Sequence, residues 1–178
     1  TADAIVIGCG MGFSEEAKAR LIAAIETNVP VIIDADALTM IANDQELEDM
    51  VLSRRQHTVL TPHPGEAARI LKRTIAEIQA DRLTTAREIS IQTGAITVLK
   101  GTGTVVSLRS SRAWVNPTGN ACLATAGAGD VLAGMIGSFF AQKFDMVSAT
   151  LGGVWLHGES VRARNSGILA SDIIDRAA

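Results

Sequence analysis

The stretch from Asn116 to Lys143, NPTGNACLATAGAGDVLAGMIGSFFAQK, holds the residues best suited to chemistry. Val131, Leu132, Met135, Ile136, Phe139 and Phe140 recur at helical spacing and predict a helix buried against a core. Such a helix leaves its first N–H groups without intrahelical acceptors, and its dipole puts partial positive charge at that end. Gly127 and Gly129 allow a sharp turn there and a close approach by a ligand. Backbone amides at such a junction bind phosphate, and Asp130 follows in the first turn as a carboxylate able to accept a proton. The plainer reading of Asp130 is a helix cap, because Asp is among the preferred N-cap residues. No Gly-Lys-Ser/Thr follows, so this is not a Walker A loop, and any phosphate chemistry must draw its cations from elsewhere in the chain.

Other candidates lie upstream. Gly8-Cys9-Gly10-Met11-Gly12-Phe13 follows an apolar run, with Asp34 about 20 residues further on, which resembles a dinucleotide fingerprint. Phe13 stands where the third glycine should allow close helix–strand packing, so the glycines are better read as bringing backbone near some ligand. Asp34 and Asp36 in DADAL could bind a metal or cap a helix, and capping is expected of at least one. In Thr61-Pro62-His63-Pro64-Gly65-Glu66 two prolines fix the backbone around His63 and exclude a helix before Pro64. A turn there would be content with Asn or Ser, so a rigidly held histidine points to function. Lys100, at a strand end beside Gly101 and Gly103, could support a nucleotide, although an ordinary hairpin entry explains it by itself. His157 lies on a helical stretch and reads as structural. Cys9 and Cys122 are isolated, without CxxC or histidines at zinc spacing, and read as reduced thiols of a cytoplasmic protein.

The elements that must position these groups alternate. Ala4 to Gly8 and Val29 to Ile33 read as strands around a helix from Ala17 to Glu26, capped by Ser14. Asp44 to Arg54 reads as a helix, His57 to Leu60 as a strand, and Gly65 and Glu66 open the next helix. Thr74 to Glu77 is a capping box that predicts one long helix to about Thr93, ended by Gly94. Ala95 to Leu99 is a fourth strand, and Val105 to Leu108 with Ala113 to Val115 form a hairpin around Arg109 to Arg112. Helices over Met146 to Arg164 and Ser171 to Ala177 close the chain. This alternation predicts an α/β fold, a three-layer αβα sandwich with a mostly parallel central sheet. The Gly8–Gly12 loop, Asp34, His63 and Lys100 all follow strands, so they gather on one edge of that sheet.

Composition excludes several classes. The 178 residues are 47% hydrophobic and 20% charged, which suits one domain with a sizeable core. A net charge of −3 without a basic run argues against nucleic-acid binding, and no apolar stretch approaches a membrane span. There is no secretory signal, repeat or linker, and Thr1 looks cut rather than naturally begun.

The motifs together resemble the ADP/ATP-dependent NAD(P)H-hydrate dehydratases, members of the ribokinase-like superfamily. The matching runs are GCGMG (8–12), DADAL (34–38), LTPHPGE (60–66), LKGTGT (99–104), NPTGN (116–120) and ATAGAGDVLAG (124–134), spread over essentially the whole chain. The resemblance implies a catalytic Asp130 that contacts the substrate hydroxyl, and an anion hole at Gly127, Ala128 and Gly129 near the nucleotide. It implies that Gly12 and His63 line the hydrate pocket, that Lys100, Gly101, Thr102, Gly103 and Thr104 hold the adenylate, and that Glu66 positions Mg²⁺ through water. ADP or ATP is then the co-substrate, NADH-hydrate or NADPH-hydrate the substrate, and a homo-oligomer is expected. Phosphorylation of the C6 hydroxyl followed by loss of phosphate would regenerate NADH or NADPH. A small-molecule kinase for a vitamin precursor or sugar, or a non-catalytic adenylate-binding domain, are the alternatives. The chain departs from the family pattern at Ala126 and Ala128, at Ala121-Cys122-Leu123, and at Cys9. Family members carry further strands and helices before Thr1, so residues 1–178 are expected to be one ribokinase-like domain's C-terminal portion.

Overall fold

Val31, Ile32 and Ile33 are all fully buried, although successive strand residues face opposite sides of a sheet. Both faces of the strand are therefore covered, as in parallel sheets sandwiched by helices. The computed structural model describes residues 2–54, 57–110, 112–164 and 167–177. Thr1 and Ser111, within the predicted Arg109–Arg112 turn, lie outside the described residues.

In chain order the elements are β1 (Ile5–Ile7), α1 (Glu15–Ile25), β2 (Val31–Ile33), α2 (Ala35–Asn43), α3 (Gln45–Ser53), β3 (Thr58–Leu60), α4 (Pro64–Leu71), α5 (Ile75–Ala80) and α6 (Arg82–Thr93). There follow β4 (Ile96–Leu99), β5 (Val105–Ser107), β6 (Ala113–Val115), a 3₁₀ turn at Ala121–Leu123, α7 (Ala128–Ala141), α8 (Met146–Glu159) and α9 (Ala170–Ala177). The sheet runs β1-β2-β3-β4-β5-β6, with β1 to β4 parallel and β5 and β6 joined as an antiparallel extension. Val31, Ile33, Leu60 and Leu99 pack on one side against Leu21, Leu38, Leu47 and Ile89 from α1, α2, α3 and α6. Ile32, Val59, Ile96 and Val98 pack on the other against Leu132, Ile136 and Phe140 of α7 and Val154 of α8. The three-layer αβα sandwich is therefore present, and every βα loop opens on one sheet edge.

Two helices differ from expectation. DADAL opens a helix of its own, α2, for which the cap expected there gives no helical span. The predicted long helix to Thr93 is two, because the Asp81 side chain accepts the Thr84 N–H at 2.9 Å and starts α6 as a new helix. The strand order also disposes of the dinucleotide fingerprint. A dinucleotide fold needs a reversal in strand order beside the glycine loop, whereas this sheet runs straight through in sequence. Helix α1 begins at a Ser14 cap, beyond the glycines. Among the described residues no helix is long and apolar enough to cross a membrane.

Candidate active site

Helix α7 starts at Gly127, whose φ of 82° a residue with a side chain would adopt only with strain. Gly127 occupies the N-cap position, so Asp130 is the third helical residue and makes no cap. The capping reading of Asp130 is thereby corrected: its carboxylate is exposed in the first turn with no capping bond. The Ala128 N–H goes to Thr125 O and that of Val131 to Gly127 O. Among the described residues those of Gly129 and Asp130 have no acceptor, which leaves two donors at the positive end of the dipole. His157 of α8 holds this turn from beneath, its Nε2 lying 2.9 Å from Ala128 O. A carbonyl only accepts, so Nε2 carries the proton. Burial pushes the His157 pKa down, against the pull of the Ala128 bond, and keeps the ring neutral.

NPTGN braces the approach to the same turn. Asn116 Nδ2 donates to Val154 O at 3.3 Å, Thr118 Oγ1 to Trp155 O at 3.1 Å, and Asn120 Nδ2 to Val161 O at 2.8 Å. A side chain at Gly158 would lie 2.1 Å from Thr118 Oγ1, so that glycine is what lets the loop lie on α8.

The strand ends supply the ions. Lys100 Nζ, after β4, lies 2.6 Å from Asp34 Oδ1, after β2, and 3.9 Å from Glu66 Oε2 in α4. Asp34 is 1% exposed and occupies the N-cap position of α2, yet its side chain makes no cap bond. Asp36 does not cap either: its Oδ2 accepts the Gly12 N–H at 2.8 Å and ties the glycine loop to α2. The expected cap is met in position only: Asp34 stands at the N-cap of α2, but neither acid makes a cap bond, because each has a stronger tertiary partner. Ala35 between them sits at φ 49°, a strained conformation that turns the chain from strand into helix while Asp34 stays at the edge. A side chain at Gly8 would lie 1.8 Å from Asp34 O, so Gly8 serves close packing of two strand ends. A Cβ on Gly129 would lie 3.2 Å from Lys100 Nζ and 3.6 Å from Asp34 Oδ2, which brings the α7 turn against the same ion pair.

His63 is the cap of α4. Its Nδ1 accepts the N–H groups of Gly65 and Glu66 at 2.9 and 3.3 Å, and Glu66 Oε2 accepts the His63 N–H at 2.7 Å. This reciprocal box does the work of Asn or Ser, so rigidity alone no longer argues for function at His63. Burial raises the Glu66 pKa, and Lys100 opposes it. Cys9, Asp34 and Asp130 bring ligand atoms within 4.8 Å of one another. Burial, a hydrogen bond to Asp130 and its negative charge push the Cys9 thiol up to about 12, so it is a protonated neighbour of Asp130 and no ligand for a hard cation.

The Lys100–Thr104 loop meets the cluster through Lys100. Thr104 Oγ1 donates to Gly101 O at 3.1 Å, the Asn116 N–H donates to Thr104 O at 2.8 Å, and Thr102 is exposed. A groove of about 760 Å³ runs from Asp130 along Val131, Met135, Leu156 and Ile174, touching the cluster only at its Asp130 end. Sequence reasoning named Asp130, His63, Lys100 and the glycines, but missed Asp34 as the partner of Lys100 and His157 as the support of Ala128. Neither has a local signal, since both pairings span distant parts of the chain.

Comparison with known proteins fits this arrangement. A crystal structure of the ADP/ATP-dependent NAD(P)H-hydrate dehydratase from Bacillus subtilis, co-crystallised with ATP/Mg²⁺, superposes with a TM-score of 0.86 at 33% identity, over 98% of this chain and 62% of that one. A ribokinase-like superfamily protein from Enterococcus faecalis gives a TM-score of 0.83 at 28% identity, over 99% of this chain and 61% of that one. The ADP-dependent (S)-NAD(P)H-hydrate dehydratase of Neisseria meningitidis serogroup B is 43% identical over 172 residues, which are 94% of this chain and 58% of that protein. The chain thus spans about three fifths of the length of these relatives, and its fold is ribokinase-like. The model of the NAD(P)H-hydrate dehydratase family matches residues 1–175, nearly every position in the sandwich and all the groups at its open edge, and the chain belongs to that family.

Proposed function

We propose that the chain is the greater part of a single ribokinase-like domain that dehydrates NADH-hydrate or NADPH-hydrate at the expense of ADP or ATP. The observation that carries this reading is Asp130: an exposed carboxylate with no capping duty, beside two N–H groups at a helix start that have no acceptor among the described residues. Hydroxide is a poor leaving group at C6 of the hydrated ring. Asp130 accepts the C6 hydroxyl proton as the oxygen attacks the terminal phosphoryl group, and ADP leaves as AMP or ATP as ADP. The N–H groups of Gly129 and Asp130, with Ala128 held by His157, face the charge on the transferring group. The ring nitrogen's lone pair then expels phosphate to leave an iminium ion, and loss of a C5 proton to water or the departing phosphate restores the dihydronicotinamide ring.

Lys100 to Thr104 take the adenylate side in this reading, and Gly12 and His63 the hydrate side. Mg²⁺, which keeps several waters and prefers oxygen, fits the buried Glu66 carboxylate beside Lys100 better than a closed protein cage, and when bound it neutralises phosphate charge. The test is recovery of NADH absorbance from NADH-hydrate with ADP or ATP, with phosphate measured alongside. Regeneration of NADH with one phosphate released per turnover is expected. A phosphorylated product without phosphate release would make the protein a kinase, and nucleotide binding without turnover would make it a binding domain.

A further inference from the structure

Arg82 is the first residue of α6, where a cation opposes the helix dipole. Among the described residues it has no carboxylate partner within salt-bridge distance. Its guanidinium is spent on the loop that follows β4. Nη2 donates to Leu99 O at 3.0 Å, to Lys100 O at 3.3 Å and to Gly103 O at 3.5 Å, while Nη1 donates to Gln79 Oε1 at 2.9 Å. One side chain thus holds both ends of the Lys100–Thr104 turn. Gly101 completes the fit, since at φ 138° its Cβ would lie 2.6 Å from Arg82 Nη1. Peptides here are trans, so a carbonyl turned toward Arg82 turns the following N–H the other way. The carbonyls of Lys100 and Gly103 therefore send the N–H groups of Gly101 and Thr104 away from α6, and among the described residues neither finds an acceptor.

We propose that Arg82 is the positioning residue of this loop: by gathering three carbonyls beneath it, it presents the Gly101 and Thr104 N–H groups and Lys100 to the nucleotide. The proposal rests on the assignment of Lys100–Thr104 to the adenylate side. Nη1 anchors the guanidinium to Gln79 while Nη2 shares its hydrogens among the loop carbonyls, and a single ammonium cannot make that two-ended hold, so Lys does not replace it.

The test compares wild type with Arg82→Gln and Arg82→Lys by calorimetric titration with ADP, amide hydrogen exchange and thermal melting. Arg82→Gln is expected to weaken ADP binding about tenfold and to speed exchange at Gly101 to Thr104 by a similar factor. In turnover, KM for ADP rises while kcat at saturating ADP stays within about twofold, the pattern of lost ground-state binding. Arg82→Lys keeps most of both defects, even where Arg82→Gln folds poorly. Unchanged loop exchange in a folded variant overturns the proposal. Wild-type protein that binds no ADP overturns the nucleotide assignment instead, and the exchange comparison then decides by itself whether Arg82 orders the loop.

Discussion

Replacing Lys100 with Met keeps an unbranched stem and removes the ammonium 2.6 Å from Asp34 Oδ1. Asp34 is 1% exposed and Lys100 17% exposed at the side chain, so the carboxylate loses its counter-charge where water reaches it poorly. At an effective dielectric near 20, two unit charges at that separation attract by roughly 6 kcal/mol. Removing one member of a buried pair typically destabilises by about 3–5 kcal/mol, because some solvent and relaxation soften the loss. We expect Lys100→Met to fall near the lower end, about 3 kcal/mol, since the Lys100 side of the pair is partly open. Asp34→Asn should lower stability by about 1–2 kcal/mol, since Lys100 still has Glu66 at 3.9 Å and a route to solvent. The double variant removes the Asp34 charge together with its partner and leaves only Glu66 without the ammonium 3.9 Å away, so it should return to within about 2 kcal/mol of wild type. Urea unfolding with an unchanged m-value measures all three. Additive losses would refute the reasoning, since the two groups would then not be compensating each other.

Three further outcomes are expected. Asp130→Asn should lower kcat by about 10²–10⁴-fold while melting shifts little, because Asp130 caps nothing; retained activity would remove it from the mechanism. His63→Asn should keep the α4 cap and the stability that His63→Ala loses, about 1 kcal/mol, while weakening hydrate binding more than ADP binding in calorimetric titrations. Burial first, then Lys100 and Arg69, lower the His63 pKa, so its contribution to stability is present above about pH 6.5 and is lost as pH falls below that. Protonation takes away the Nδ1 acceptor, and the Asn variant should not show this loss. Glu66 has its pKa raised by burial, so its charge weighs against folding above the ordinary carboxylate range, and acid relieves that penalty. Glu66→Gln can still accept the His63 N–H, so at neutral pH its urea midpoint should match or exceed wild type while turnover falls; a lower midpoint would show the charge to be stabilising.

Much of the architecture was legible in the chain. The alternation of apolar runs and helical periodicity specified the layers, because a strand covered on both faces is apolar at nearly every position, as Val31 to Ile33 are throughout and Ile96 to Leu99 are except at Thr97. Ser14, Thr74 and Gly94 marked helix ends correctly, since capping is a contact between near neighbours in sequence. The break at Asp81 is masked in the sequence because the residues on both sides of it are helix formers that read equally well as one continuous helix. That the glycine loop, Asp34, His63 and Lys100 share one edge also followed from sequence, because parallel strands place all their C-terminal ends together.

Only the tertiary structure decided which of these groups meet and what each is for. Asp34 and Asp130 look alike as acids near helix starts, and local propensity calls both caps. The one is pinned under Lys100, 66 positions away, and the other is left exposed because Gly127 takes the cap position. His63 looked functional for its rigidity and proved to be the residue that caps its own helix. His157 and Arg82 reach Ala128 and the Lys100–Thr104 loop across gaps that no short-range pattern records. Local rules specify elements because their contacts lie within a few residues; a site is built from contacts between elements, and these are set by how the layers pack.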